Sequence, residues 1–102
     1  MVDQQLLGRI LKEAMKSGKF TLGTREVLAE LKTSKVVIAA TPLPGKEGED
    51  LKREAELNKI PLVWTGRNSA LLGRLIGRPY KVSAIALRSI SDQDLRQLQE
   101  QV

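Results

Sequence analysis

Apolar and polar positions change period several times along this chain, and each change marks an element. Leu6, Leu7, Ile10, Leu11, Ala14 and Met15 recur at helical spacing, with Asp3 placed to cap that helix and Gly18 to stop it. Phe20-Thr21-Leu22 is a short apolar run closed by Gly23, after which Val27, Leu28 and Leu31 mark one face of a second helix. Val36-Val37-Ile38-Ala39-Ala40 follows neither period. It is a continuous, largely β-branched run, the pattern of a strand covered on both faces, and Thr41-Pro42-Leu43-Pro44-Gly45 ends it.

Between residues 48 and 58, Leu51, Ala55 and Asn58 share a face, with Leu57 beside it and charges elsewhere, which predicts a third helix. Pro61 opens a strand at Leu62-Val63-Trp64, and Thr65-Gly66-Arg67-Asn68 turns the chain. Leu71, Leu72 and Leu75 then line one side of a helix over residues 69–76, stopped at Gly77. Residues 82–87 give a second buried-type strand, and Ser91 with Asp94 forms a capping-box pattern for a last helix through Leu95 and Leu98. Strands alternating with helices predict an α/β fold: a three-layer α/β/α sandwich around a small, largely parallel or mixed sheet. The chain, residues 1–102, is expected to be one domain, with no internal repeat, low-complexity tract or linker.

Charge narrows the function. Seventeen Lys and Arg against twelve Asp and Glu leave a net charge of +5, which favours a polyanionic partner. The absence of Cys and His removes thiolate and imidazole metal ligands, thiol nucleophiles, disulfides and the usual general base near neutral pH. No catalytic residues, metal or cofactor are expected, and no small-molecule substrate. The start of the chain lacks a basic region followed by an apolar run, and no segment approaches a membrane span, so a soluble, cytoplasmic protein is expected.

Two segments can carry recognition. In Gly77-Arg78-Pro79-Tyr80-Lys81-Val82-Ser83 an aromatic and cations precede a buried strand. Arg78 and Lys81 suit phosphates, Tyr80 can stack on a base, and Val82 can support one that is flipped out. The bland alternative is a routine connection with Tyr80 laid against the core. Gly23-Thr24-Arg25-Glu26 stands where a strand hands over to a helix, so backbone amides near Gly23 and Thr24 can point at an anion. Arg25 can bond a guanine edge or a phosphate, and Glu26 can accept from exocyclic amino groups. Here the bland alternative is Thr24 as cap, Glu26 complementing the helix dipole and Arg25 solvated. Arg67, Asn68 and Arg74 either extend a basic rim or are ordinary surface residues. Pro44-Gly45-Lys46-Glu47 looks like part of a phosphate-binding loop but lacks the glycine spacing and the following Ser or Thr. The carboxylates Glu47, Glu49, Asp50, Glu54 and Glu56 alternate with Lys46, Lys52 and Arg53, as on a solvated helix. Trp64 reads as packing.

Taken in order, Gly18-Lys19, Leu22-Gly23-Thr24-Arg25, Lys35-Val36-Val37-Ile38-Ala39, Ile60-Pro61, Leu72-Gly73, Gly77-Arg78-Pro79 and Val82-Ser83-Ala84 resemble the archaeal and eukaryotic large-subunit ribosomal protein L-thirty-e group. That group belongs to the kink-turn RNA-binding, L-seven-Ae-like family. The resemblance implies a four-stranded mixed sheet and binding to a sharply bent helix-bulge-helix element, the kink-turn. It also implies residence in the large ribosomal subunit, with ribosomal RNA and neighbouring ribosomal proteins as partners. It assigns the tandem sheared G·A pairs to Gly23, Thr24, Arg25 and Glu26, and the bulged nucleotides to Arg78, Pro79, Tyr80, Lys81 and Val82. Arg25 stands where the broader kink-turn binders carry Asn, and Thr41-Pro42 replaces an Asn common after the second strand of the L-thirty-e type. Two alternatives share the fold: an adaptor of a guide-RNA or RNA-processing particle, and a protein-interaction module of the translation machinery.

Overall fold

A computed structural model describes residues 4–40, 46–66 and 68–100. Helix α1 (Gln4–Ser17) leads into strand β1 (Phe20–Leu22), helix α2 (Thr24–Ala29) and strand β2 (Val36–Ala39). Helix α3 (Lys46–Leu57), strand β3 (Leu62–Trp64), helix α4 (Ser69–Leu75), strand β4 (Ala84–Leu87) and helix α5 (Asp92–Glu100) follow. The strands form one sheet in the order β1-β4-β2-β3. β2 runs parallel to β3, while β4 is antiparallel to both β1 and β2, so the sheet is mixed as expected.

The two continuous apolar runs become the central strands, and every residue of β2 and β4 is buried. Alternation along each strand divides the core in two. Val36, Ile38, Ile85 and Leu87 face Leu7, Ile10 and Leu11 of α1, Leu72 of α4 and Leu98 of α5. Val37, Ala39, Ala84 and Ala86 face Val27 of α2 and Leu51 of α3. The result is the expected three-layer sandwich. Truncating Leu7, Leu51 or Leu72 to Ala would each cost about 2–5 kcal/mol, since each is fully buried.

Several boundaries differ from the sequence expectation. The second helix ends at Ala29, and Leu31 is buried from a separate 3-10 turn, Leu31–Thr33. There the hydroxyls of Thr33 and Ser34 both donate to the Glu30 carbonyl, at 2.9 and 3.0 Å, competing with helical continuation. Helix α3 starts at Lys46, ahead of the expected Gly48. Strand β4 starts at Ala84 instead of Val82, because the Val82 N–H donates to the Ser69 carbonyl of α4 at 3.0 Å. At α5 the Ser91 Oγ accepts from the Asp94 N–H at 3.1 Å, the capping bond read from the sequence. The Asp3 cap, the loop at Thr41-Pro42-Leu43-Pro44-Gly45 and Arg67 lie outside the described residues.

Candidate nucleic-acid interface

Strand pairing brings the two candidate segments together. Leu22, the last residue of β1, pairs with Ile85 near the start of β4, so Gly23 leaves the sheet where Ser83 enters it. The Gly23 N–H donates to the Ala84 carbonyl at 2.9 Å, extending that pairing by one bond. This corrects one expectation: the Gly23 donor is used inside the sheet and does not face an anion. Gly23 instead makes the turn into α2, at φ 95° and ψ 142°, where a β-carbon would be strained. It would also lie 2.6 Å from Glu26 Oε2, so the Glu26 carboxyl folds back over the glycine. Thr24 does not cap the helix, since Gly23 occupies the cap position and Thr24 is buried as the first helical residue. Arg25 and Glu26 are exposed.

The second segment is strapped to α4 by its backbone. Arg78 N–H donates to the Gly73 carbonyl at 2.9 Å and Val82 N–H to that of Ser69, so the intervening residues arch over the helix. Gly73 is buried beneath the Tyr80 carbonyl, leaving no room for a side chain. The Asn68 side chain accepts from Leu71 N–H at 2.9 Å and caps α4. With its backbone held this way, Tyr80 is 55% exposed, which sets aside the alternative of a ring laid on the core. Val82 is 3% exposed and packs in the core, so it does not offer the free apolar platform the sequence suggested. It closes the floor of the site instead. Gly73 and Ser69 were not singled out by chemistry, although a glycine inside a helix is a signal of close approach.

Two shallow concavities of about 330 Å³ each meet at Tyr80 and Lys81. One is lined by Leu22, Gly23, Glu26, Tyr80, Lys81, Val82 and Ser83, which joins the two segments in a single surface. The other is lined by Ala70, Arg74, Arg78, Pro79, Tyr80 and Lys81, so Arg74 joins the basic rim. Arg25 lines neither and stands exposed beside Glu26 on α2. Within this span the surface offers a carboxylate acceptor, an accessible aromatic face and several cations, the set that unstacked bases and their phosphates call for. Among the described residues no His, Cys, Asp or Glu cluster suits a metal, and no helix is long and apolar enough to cross a membrane.

Comparison with known proteins identifies the family and the fold. A model of the ribosomal protein L7Ae/L30e/S12e/Gadd45 family matches residues 6–95, spanning every strand and both segments of the site. The chain belongs to this family. Among its relatives, the large ribosomal subunit protein eL30 of Pyrobaculum calidifontis is 32% identical over 102 residues, covering 98% of each chain. The protein of the same name from Dictyostelium discoideum is 32% identical over 95 residues, covering 91% of this chain and 85% of its own. A solved structure of a protein with unknown function from Bacillus halodurans C superposes with a TM-score of 0.79 over 96% of each chain. Its 20% identity speaks to the fold alone. The L7Ae/L30e resemblance read from the sequence is thereby borne out, and so is the α/β fold with its four-stranded mixed sheet.

Proposed function

We propose that this protein is a structural constituent of the large ribosomal subunit that binds ribosomal RNA, at a kink-turn or a related bent helix-bulge-helix. The observation that carries the reading is the shared concavity. Gly23 and Glu26 share it with Tyr80, Lys81 and Val82, half the chain away in sequence, with the exposed tyrosine between the two segments. Full-length similarity to eL30 proteins supports the ribosomal setting. Arg25 and Glu26 would meet base edges, Tyr80 would stack on an unpaired base, and Arg78 and Lys81 would hold phosphates. Gly23 and Pro79 would shape the backbone, Thr24 would seat the helix start, and Val82 would support Tyr80 from below. No catalytic step belongs to this reading, and residence on ribosomes in the cytoplasm would follow from it.

Titration against a kink-turn RNA and the same RNA with its G·A pairs replaced by Watson-Crick pairs, at two salt concentrations, tests it. Selective binding to the first, weakening as salt rises, is expected. Equal affinity for both would remove the assigned recognition.

A further inference from the structure

The cations of this chain are not spread evenly. Residues 5–19 and 69–81 carry seven Lys and Arg and a single carboxylate, Glu13, whereas α3 holds five carboxylates against three cations. Both basic segments lie in the same layer of the sandwich, where α1 and α4 pack together and a β-carbon on Gly8 would lie 3.8 Å from the Leu75 side chain. Between them runs a concavity of about 770 Å³, floored by Gly8 and Leu75 and edged by Lys12 and Lys16.

The charges at its rim have different duties. Arg9 is held at 2.8 Å by Asp94 and lies 3.4 Å from Glu13, so it and Glu13 form the α5 side of the groove. Lys12 and Lys16, one turn apart and exposed, make no ion pair among the described residues. Arg74 follows the same pattern on α4. Leu75 floors this groove while its neighbour Arg74 lines the one beneath Tyr80, so consecutive residues of α4 link the two.

We propose that the α1–α4 groove is a second RNA contact, a track for the phosphate backbone of a duplex stem leading away from the recognised bend. The inference rests on the RNA-binding reading above and extends its footprint. Lysines on a helix supply point charges without base selectivity, which suits a backbone and not a base edge. An acidic protein is a poorer fit, because the groove has no exposed aromatic or other large apolar anchor: among the described residues the large exposed apolar side chains are Leu57 and Tyr80, neither of them in it.

The test uses the full chain, its Lys12→Gln/Lys16→Gln variant, and bent RNAs whose flanking stem is either a stub or a full helical turn longer. Glutamine keeps helix propensity at both exposed positions, so the variant retains the fold, which circular dichroism checks. The parent is expected to bind the long-stem RNA more tightly than the stub. The variant should lose roughly tenfold on the long stem and little on the stub, with a salt slope shallower by about 2. Polyglutamate serves as competitor and should displace the long-stem RNA only weakly. A parent that selects the bend but gains nothing from the longer stem, or a variant that keeps the gain, would overturn the track. Stem gain with its lysine dependence intact, but without preference for the bend, would overturn the functional reading and leave the track standing. Tighter lysine-dependent binding of polyglutamate than of RNA would reassign the groove to an acidic protein.

Discussion

The carbonyl oxygen of Tyr80 occupies the space that a β-carbon on Gly73 would fill. Helix α4 and the recognition loop are therefore one packed unit, joined further by the bonds from Arg78 to Gly73 and from Val82 to Ser69. Alanine favours a helix interior over glycine by about 1 kcal/mol, but the collision here is with backbone, which has little room to yield. Gly73→Ala is expected to destabilise by a net 1–3 kcal/mol, roughly the cost of overpacking, and to weaken RNA binding by displacing Tyr80. Urea midpoints and RNA affinity measured on the same preparation check both effects; a variant as stable as the parent would remove the strap.

Tyr80→Ala should behave differently. Its ring is more than half exposed, so stability should change little while RNA affinity falls by about 1–3 kcal/mol, the worth of one stacked base. Tyr80→Phe keeps the ring and should bind close to the parent. If the phenylalanine variant lost as much as the alanine one, the hydroxyl and not the face would be the contact.

Arg25→Ala should cost about 1–3 kcal/mol in binding if the guanidinium reads a base, with a loss concentrated on RNAs that retain the G·A pairs. A loss of equal size on the Watson-Crick control would place Arg25 on phosphate. Neither outcome should be accompanied by unfolding, because Arg25 is exposed on α2.

Much of the fold was legible because its central strands are buried on both faces and so appear as unbroken apolar runs. The helices showed through their period, and Ser91 with Asp94 announced α5. The rest depends on contacts distant in sequence. Nothing local to Leu31 shows that it enters the core from a 3-10 turn. Nothing in the residues around Val82 signals that its N–H is taken by α4. The site was legible as two segments of suitable chemistry, whereas their union follows from the antiparallel pairing of β1 with β4. That same pairing takes the Gly23 donor that the sequence left available.

The pair Arg9 and Asp94 illustrates the same limit, linking α1 to α5 across nearly the full chain. The hydrogen bond from Arg9 holds the Asp94 carboxyl below the ordinary aspartate range; burial opposes this and the Ser91 hydroxyl assists it. Because the folded value is depressed, the stabilisation is fully present above the unfolded value, about 3.9, and is lost as pH falls through the lower folded value. Asp94→Asn should be less stable than the parent at neutral pH, and the gap should close in acid as the pH falls through the depressed folded value. Thermal melts across that range measure it, and a gap independent of pH would deny the ion pair its role. With Arg9 half exposed, the effect should be modest.

Helix α3 ends in a Schellman turn, with Ile60 N–H on the Ala55 carbonyl at 2.9 Å and Lys59 N–H on that of Glu56 at 3.2 Å. Lys59 carries the left-handed backbone of that turn at φ 57°. Lys59→Gly should therefore stabilise the protein by about 1 kcal/mol and leave binding of the bent RNA unchanged. A lower denaturation midpoint would show that the lysine side chain contributes more than its backbone costs.

The claim that residues 23–26 and 78–82 act as one RNA surface is met most directly by following backbone amide resonances of isotope-labelled protein during titration with a kink-turn RNA. The expected result is a contiguous set of perturbed amides at both segments, including Arg25, Glu26, Tyr80 and Lys81, with the exposed face of α3 unmoved. Perturbation of only one segment, or of α3 ahead of either, would contradict it.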